Sequence, residues 1–295
     1  PVFSSPNYTF NFPVGTSMIA VGATPVSTDM ATILGIPAAD LLLARYDPAT
    51  SSYRTYQSNP SDSFLQHALG RAYWLSLSSA LSVDIAGLPT TEDTYPVSFS
   101  SGWNMIGSPY PADIDTAGLS VVVAGITDTL AGAAARNWVR DYMWAYDAFT
   151  RSYKLVSPTI SFADKTVRKG RGVFIRAFTD GALQFARPIV ASQTSTADAI
   201  QADWALRLVA ETQNGADTDN FVGVSSQAAA LNTILGPPAQ VVDLYFDGAN
   251  GAHTAASFAD RTAQGFTASV KVSAQQAGSV TLKWPDLTGL PSDVK

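Results

Sequence analysis

Cysteine is absent from this 295-residue chain, which removes disulfides, thiolate metal sites and cysteine nucleophiles together. Histidine is nearly absent too. A Ser-His-Asp triad would have to use His67 or His253, and neither lies in a recognisable motif or near a nucleophile elbow. No HExxH pair, Walker loop or GxGxxG turn is present, so zinc hydrolysis, nucleotide use and dinucleotide binding lose their usual supports. Glutamate occurs only at Glu92 and Glu211, leaving nearly all negative charge to aspartate. Aspartate favours turns and caps where glutamate favours helices, so a turn-rich, strand-rich chain is expected.

Charged residues are only 14% of the sequence and the net charge is −6. A phosphate backbone needs clustered Lys and Arg, so nucleic acid is not an expected partner. No uninterrupted apolar stretch reaches about 18 residues, and no membrane span is expected. What remains is 46% hydrophobic residues among abundant Ser, Thr, Ala, Gly and Asn, the composition of a folded, weakly charged protein. Avoidance of cysteine with little Lys or Glu fits a secreted bacterial protein at the extracellular cell surface. The start at Pro1, without Met or a signal peptide, is read as a processed or trimmed chain.

An internal duplication occupies roughly the first 190 residues, repeat one at about 8–89 and repeat two at about 95–190. Phe12-Pro-Val-Gly-Thr-Ser-Met-Ile19 matches Phe99-Ser-Ser-Gly-Trp-Asn-Met-Ile106 at an offset of 87. A YDxxTxSY motif begins at Tyr46 and again at Tyr146, an offset of 100. At that same offset Leu69-Gly-Arg-Ala-Tyr-Trp-Leu75 matches Lys169-Gly-Arg-Gly-Val-Phe-Ile175. The jump between offsets implies one insertion of 13 residues. Each repeat reads as an apolar strand entered through a Gly turn, a hairpin closed by Asp, Thr and Ser, and a third strand opened by Gly-Arg. Thr28 to Leu43 and Thr116 to Val139 are Ala- and Leu-rich, and one short helix is expected in each.

A polar stretch at Ala191 to Asp198 has the composition of a linker, placing a boundary near residue 195. Beyond it, apolar runs at 204–210, 241–246, 266–272 and 278–284 suggest a β-sandwich over 196–295. The fold class is therefore mainly β: a duplicated β-rich domain with short helices, 1–195, followed by an immunoglobulin-like β-sandwich.

The segment Gly102-Trp-Asn-Met-Ile-Gly-Ser-Pro109 resembles the GWNLIGNP signature of large secreted or surface proteins of bacteria, and Gly170-Arg-Gly-Val-Phe-Ile175 is similar to the GxGYWI segment that follows it. Together they cover about two thirds of the chain. Val280-Thr-Leu-Lys-Trp-Pro-Asp-Leu287 through Pro291 looks like a strand of the immunoglobulin-like domains that terminate such proteins. The resemblance implies architecture and location, and it carries no catalytic residues. Repeat one departs from it, with Thr16 and Ser17 in place of Trp and Asn. In that resemblance one or two more strands normally follow; either the domain was cut, or it is compact without them, or a neighbouring chain adds a strand at an open edge formed by Val280, Leu282 and Trp284.

Two further sites are candidates. Tyr142, Trp144 and Tyr146 alternate onto one strand face, a platform for sugar rings if solvated and core if not. The run Asn214 to Asn220 reads as a turn whose Asp217 and Asp219 are candidate Ca²⁺ ligands, although the bidentate Glu of an EF-hand is missing. The leading expectation is a non-catalytic structural or interaction module of a surface assembly, fibre or large surface protein, its partners being other copies of itself or neighbouring surface-protein domains. A polysaccharide-binding module ranks second, and a glycan hydrolase with paired carboxylates third.

Overall fold

A computed structural model describes residues 6–188, 200–238, 240–263 and 265–292. The chain is mainly β, with mostly antiparallel sheets and, among the described residues, three α-helices of at most six residues and two single 3-10 turns. It divides into two compact units. One comprises Pro1–Ala148, Val156–Pro158 and Asp164–Ala197, the other Phe149–Leu155, Thr159–Ala163 and Asp198–Lys295. Two short segments of repeat two thus belong with the C-terminal unit.

In the first unit the duplication is visible as strand register. Gly15–Ala20 pairs with Ala72–Leu77, Gly15 facing Leu77, and Gly102–Gly107 pairs with Gly172–Ala177, Gly102 facing Ala177. The partners shift by 87 and 100 residues respectively, the two sequence offsets. Asn7–Phe12 on Leu81–Leu88 and Thr94–Phe99 on Gly181–Ala186 repeat the relation. Each repeat closes its own core between two sheets and one helix. Phe10, Ile19, Leu34, Leu43 and Leu75 fill the first, and Val97, Ile106, Leu130, Met143 and Ile175 the second.

The helices fall in the expected segments, at Met30–Leu34 and Leu130–Ala135. Asp29 caps the first by accepting from the Thr32 N–H, Thr129 caps the second through Gly132, and Gly35 ends the first in the left-handed region. The 13-residue insertion lies just before the second helix. There Leu119–Val123 and Ile126–Thr129 form an extra hairpin laid on Gly181–Ala186, where repeat one lays only Thr24–Pro25 on its equivalent strand.

The repeats contact each other reciprocally. Ile19 bridges to Arg171 and its counterpart Ile106 bridges to Arg71. The Ala20 N–H donates to the Gly170 carbonyl, and the equivalent Gly107 N–H donates to the Gly70 carbonyl. Gly70 and Gly170 both take positive φ, +79° and +72°, and each lies where an added Cβ would strike a side chain of the other repeat, Val97 and Phe10 respectively. Val97 and Phe10 are themselves 87 residues apart. Along this seam Met18, Met105 and Phe174 are buried, and the small pairs Ala20 with Gly107 and Ala72 with Gly172 allow the sheets to approach.

The C-terminal unit stacks two sheets. One runs in the order Ala256–Ala259, Gly215–Val224, Trp204–Thr212, Thr281–Lys283, and the other in the order His253–Thr254, Val242–Asp247, Lys271–Ala274. Ala210, Val242, Leu244 and Phe246 form its core, with Leu208, Val222 and Val272 packed against them. This is a sandwich-like arrangement. Phe162 also belongs here, its ring 4.2 Å from that of Phe221 and 6.0 Å from that of Phe258.

Candidate interaction surface

Trp204–Thr212 and Gly215–Val224 form a hairpin around Gln213 and Asn214, closed by Thr212 Oγ1 donating to the Gly215 carbonyl at 3.0 Å. On the open side of this hairpin lies the short strand Thr281–Lys283, with Lys283 opposite Val209 and Thr281 opposite Glu211. Lys283 Nζ reaches Glu211 Oε2 at 2.5 Å across the pair. Among the described residues this strand is the edge of its sheet. Its apolar side chains are not covered: Val280 is 36% exposed, Leu282 47% and Trp284 54%, and Leu287 beyond them 52%. The opposite sheet ends in another edge, Lys271–Ala274. A cleft of about 440 Å³ opens beside these strands, lined by Glu211, Asn214, Val241, Gln276 and Val280 among others. Among the described residues, exposed apolar side chains thus lie at an edge strand.

Trp204 to Thr212 is long and apolar at alternate positions, which makes it a strand, but its neighbour at 215–224 has the Asp, Asn and Gly composition of a turn. The expected turn at 214–220 is corrected by the structure: only Gln213 and Asn214 turn, and Asp217 and Asp219 lie within the strand. A bulge places two residues of this strand opposite Val209. Asp217 Oδ2 accepts from the Leu244 N–H and Asp219 Oδ2 from the Leu155 N–H, both at 2.8 Å. Lys154 Nζ stands 3.7 Å from Asp219 Oδ1. Burial pushes the Asp217 carboxyl up to about 7 despite that hydrogen bond, with the charges of Asp243 and Asp219 adding to the rise. Among the described residues no three His, Asp or Glu side chains gather as metal ligands.

The aromatic platform is also corrected. Tyr142 and Trp144 are each 1% exposed. Their strand is interior to its sheet, with Met143 entering the repeat-two core and the opposite face covered as well, so the alternation offers no solvated side. Tyr146 alone of the three is half-buried. Its ring meets Trp74 edge-on at 4.9 Å, and the equivalent pair, Tyr46 and Phe174, meets edge-on at 6.0 Å. Trp74, half-buried, therefore belongs to the seam between repeats.

The chain matches no protein-family model, no curated protein and no solved structure.

A pair that sequence spacing did not mark is His253 with Asp243. His253 Nδ1 is 2.7 Å from Asp243 Oδ2, and the imidazole stacks on Tyr245 at 3.5 Å. The residues meet because Asp247 faces His253 across a tight hairpin, a relation visible only once the strands are paired. No helix among the described residues is long and apolar enough to cross a membrane.

Proposed function

We propose that this protein is a non-catalytic building block of an extracellular bacterial surface assembly, fibre or large surface protein, joined to its neighbours by strand addition at its C-terminal unit. The observation that carries this reading is the exposed Leu282 on the edge strand Thr281–Lys283, with exposed Val280 and Trp284 flanking it. Soluble proteins blunt such edges with charge, proline or a covering element; here Lys283 is turned to Glu211 of its own sheet and the apolar side chains beside it stay exposed, a template for another chain. The cysteine-free, Asp-rich composition and the resemblance of Gly102–Pro109 to a surface-protein signature support export and location. An immunoglobulin-like identity for the C-terminal sandwich belongs to the same reading.

Sedimentation of the native chain over a range of concentrations, together with imaging of native surface material, tests the proposal. Concentration-dependent assemblies that dissociate on Leu282→Arg are expected. A chain that stays monomeric at every concentration and is absent from surface structures would sink it.

A further inference from the structure

We propose that the partner at this edge is a second copy of the same chain, paired antiparallel about a twofold axis at Leu282. This rests on the assembly reading above and names its partner. A twofold through Leu282 sets Leu282 opposite itself, Val280 opposite Trp284 of the other copy, and Thr281 opposite Lys283. Every apolar side chain on one face then meets an apolar one, the cross-strand pairing that stabilises sheets. On the other face each lysine meets a threonine. The two Lys283 side chains become diagonal neighbours, but Glu211 holds each at 2.5 Å within its own sheet, so their charges are already balanced. The strand is therefore self-complementary in shape of pattern and in charge.

Four other edges among the described residues lack this property. Asn7–Phe12 buries its apolar residues, with Phe10 and Phe12 each 2% exposed. Ser52–Thr55 and Ile126–Thr129 have no row of alternating exposed apolar side chains, and Thr24–Pro25 is two residues long. Pairing at Leu282 joins two four-stranded sheets into one of eight, with Trp284 brought over Val280 of the neighbour. A seam of so few residues is expected to dissociate on dilution, as interfaces below the standard size do.

The absence of cysteine makes the test clean. Single variants Leu282→Cys, Val280→Cys and Trp284→Cys of the full chain are oxidised and resolved by non-reducing electrophoresis, with circular dichroism reporting that each is folded. All three positions are exposed, so the substitutions leave the core untouched. The expected result is a covalent dimer for Leu282→Cys alone, none for either other variant alone, and a mixed dimer when Val280→Cys and Trp284→Cys are combined. Assemblies by sedimentation with no such cross-link pattern overturn this pairing and leave the assembly reading standing. Monomers by sedimentation and no cross-link for any variant overturn both.

Discussion

Asn104 shows how one residue separates two otherwise equivalent strands. Its side-chain oxygen accepts from the Ser100 N–H at 3.0 Å and its amide donates to the carbonyls of Ser100 and Gly102, closing the turn that enters the strand. Repeat one has Ser17 at this place, too short to reach across, and its hydroxyl is buried with no hydrogen-bond partner. Asn104→Ala is expected to cost about 1–3 kcal/mol because it strands three backbone groups, while Ser17→Ala is expected to be neutral or mildly stabilising. Urea denaturation of the two variants checks the contrast. Asp217 supplies a pH dependence. Its native carboxyl titrates near 7, above the ordinary 3.8, so the folded state binds the proton more tightly than the unfolded state. Stability of the C-terminal unit is therefore expected to be fully present below about pH 4 as far as this group is concerned, and to fall as pH rises through 7. Asp217→Asn, which keeps an oxygen for the Leu244 N–H, is expected to flatten that slope and raise the melting temperature at pH 8. A slope unchanged by the substitution would show that other groups set it.

At the scale of elements, the seam between repeats depends on side chains that are missing. An added Cβ at Gly107 would collide with Ala20, and one at Gly172 with Ala72 and Met18. Gly107→Val is expected to destabilise the first unit by at least about 1–3 kcal/mol through overpacking. Gly15→Ala, where nothing stands within 4 Å, is expected to cost only the strain of its +89° φ, about 1 kcal/mol. Comparing thermal midpoints of the two variants separates contact from conformation. Elements also show what sequence could and could not tell. The duplicated strands were legible because offsets of 87 and 100 survive unchanged in the register. The insertion's length was legible as well, but its form as a hairpin was not, since Ala124 and Gly125 are weak turn signals until their positive φ values are seen. The strand at 215–224 was read as a turn because Asp217 and Asp219 take backbone N–H partners from residues 27 and 64 positions away. Tyr142 and Trp144 kept both readings open, since alternation describes one face of a strand and says nothing about what lies over it. The row at Val280, Leu282 and Trp284 was singled out through the resemblance to immunoglobulin-like terminal strands, and its exposure became visible only in the structure.

Taken whole, the chain does not divide as beads on a string. Residues 149–155 and 159–163 sit inside the sequence of repeat two, yet they belong to the C-terminal unit. There Ile200 donates to the Thr159 carbonyl at 2.7 Å, Phe162 packs on Phe221 and Phe258, and the Leu155 N–H satisfies Asp219. A fragment holding only 198–295 loses all of these and uncovers a buried carboxylate, so it is expected to melt without a cooperative transition while the full chain melts cooperatively. Phe162→Ala in the full chain is expected to lower C-terminal stability, by less than the about 3 kcal/mol of a fully buried ring because Phe162 is half-buried, measured by hydrogen exchange in strand 215–224. A fragment as stable as the full chain would show these segments to be dispensable.

The reciprocal seam also bears on how the molecule was built and how it can fail. Because each repeat offers the other the same pair of contacts, Ile19 to Arg171 and Ile106 to Arg71, the two halves form a pseudo-dimer fused in one chain by the few residues between Leu88 and Thr94. That connector is pinned, since the Glu92 carbonyl accepts from Tyr110 Oη and Arg187 Nε. Loosen it, and the first half of one molecule finds an identical home in the second half of another. The five-residue tether is held by three hydrogen bonds, the third from the Arg187 N–H to the Asp93 carbonyl at 2.8 Å, so shortening or cutting it is what would free one half to pair with the matching half of another copy.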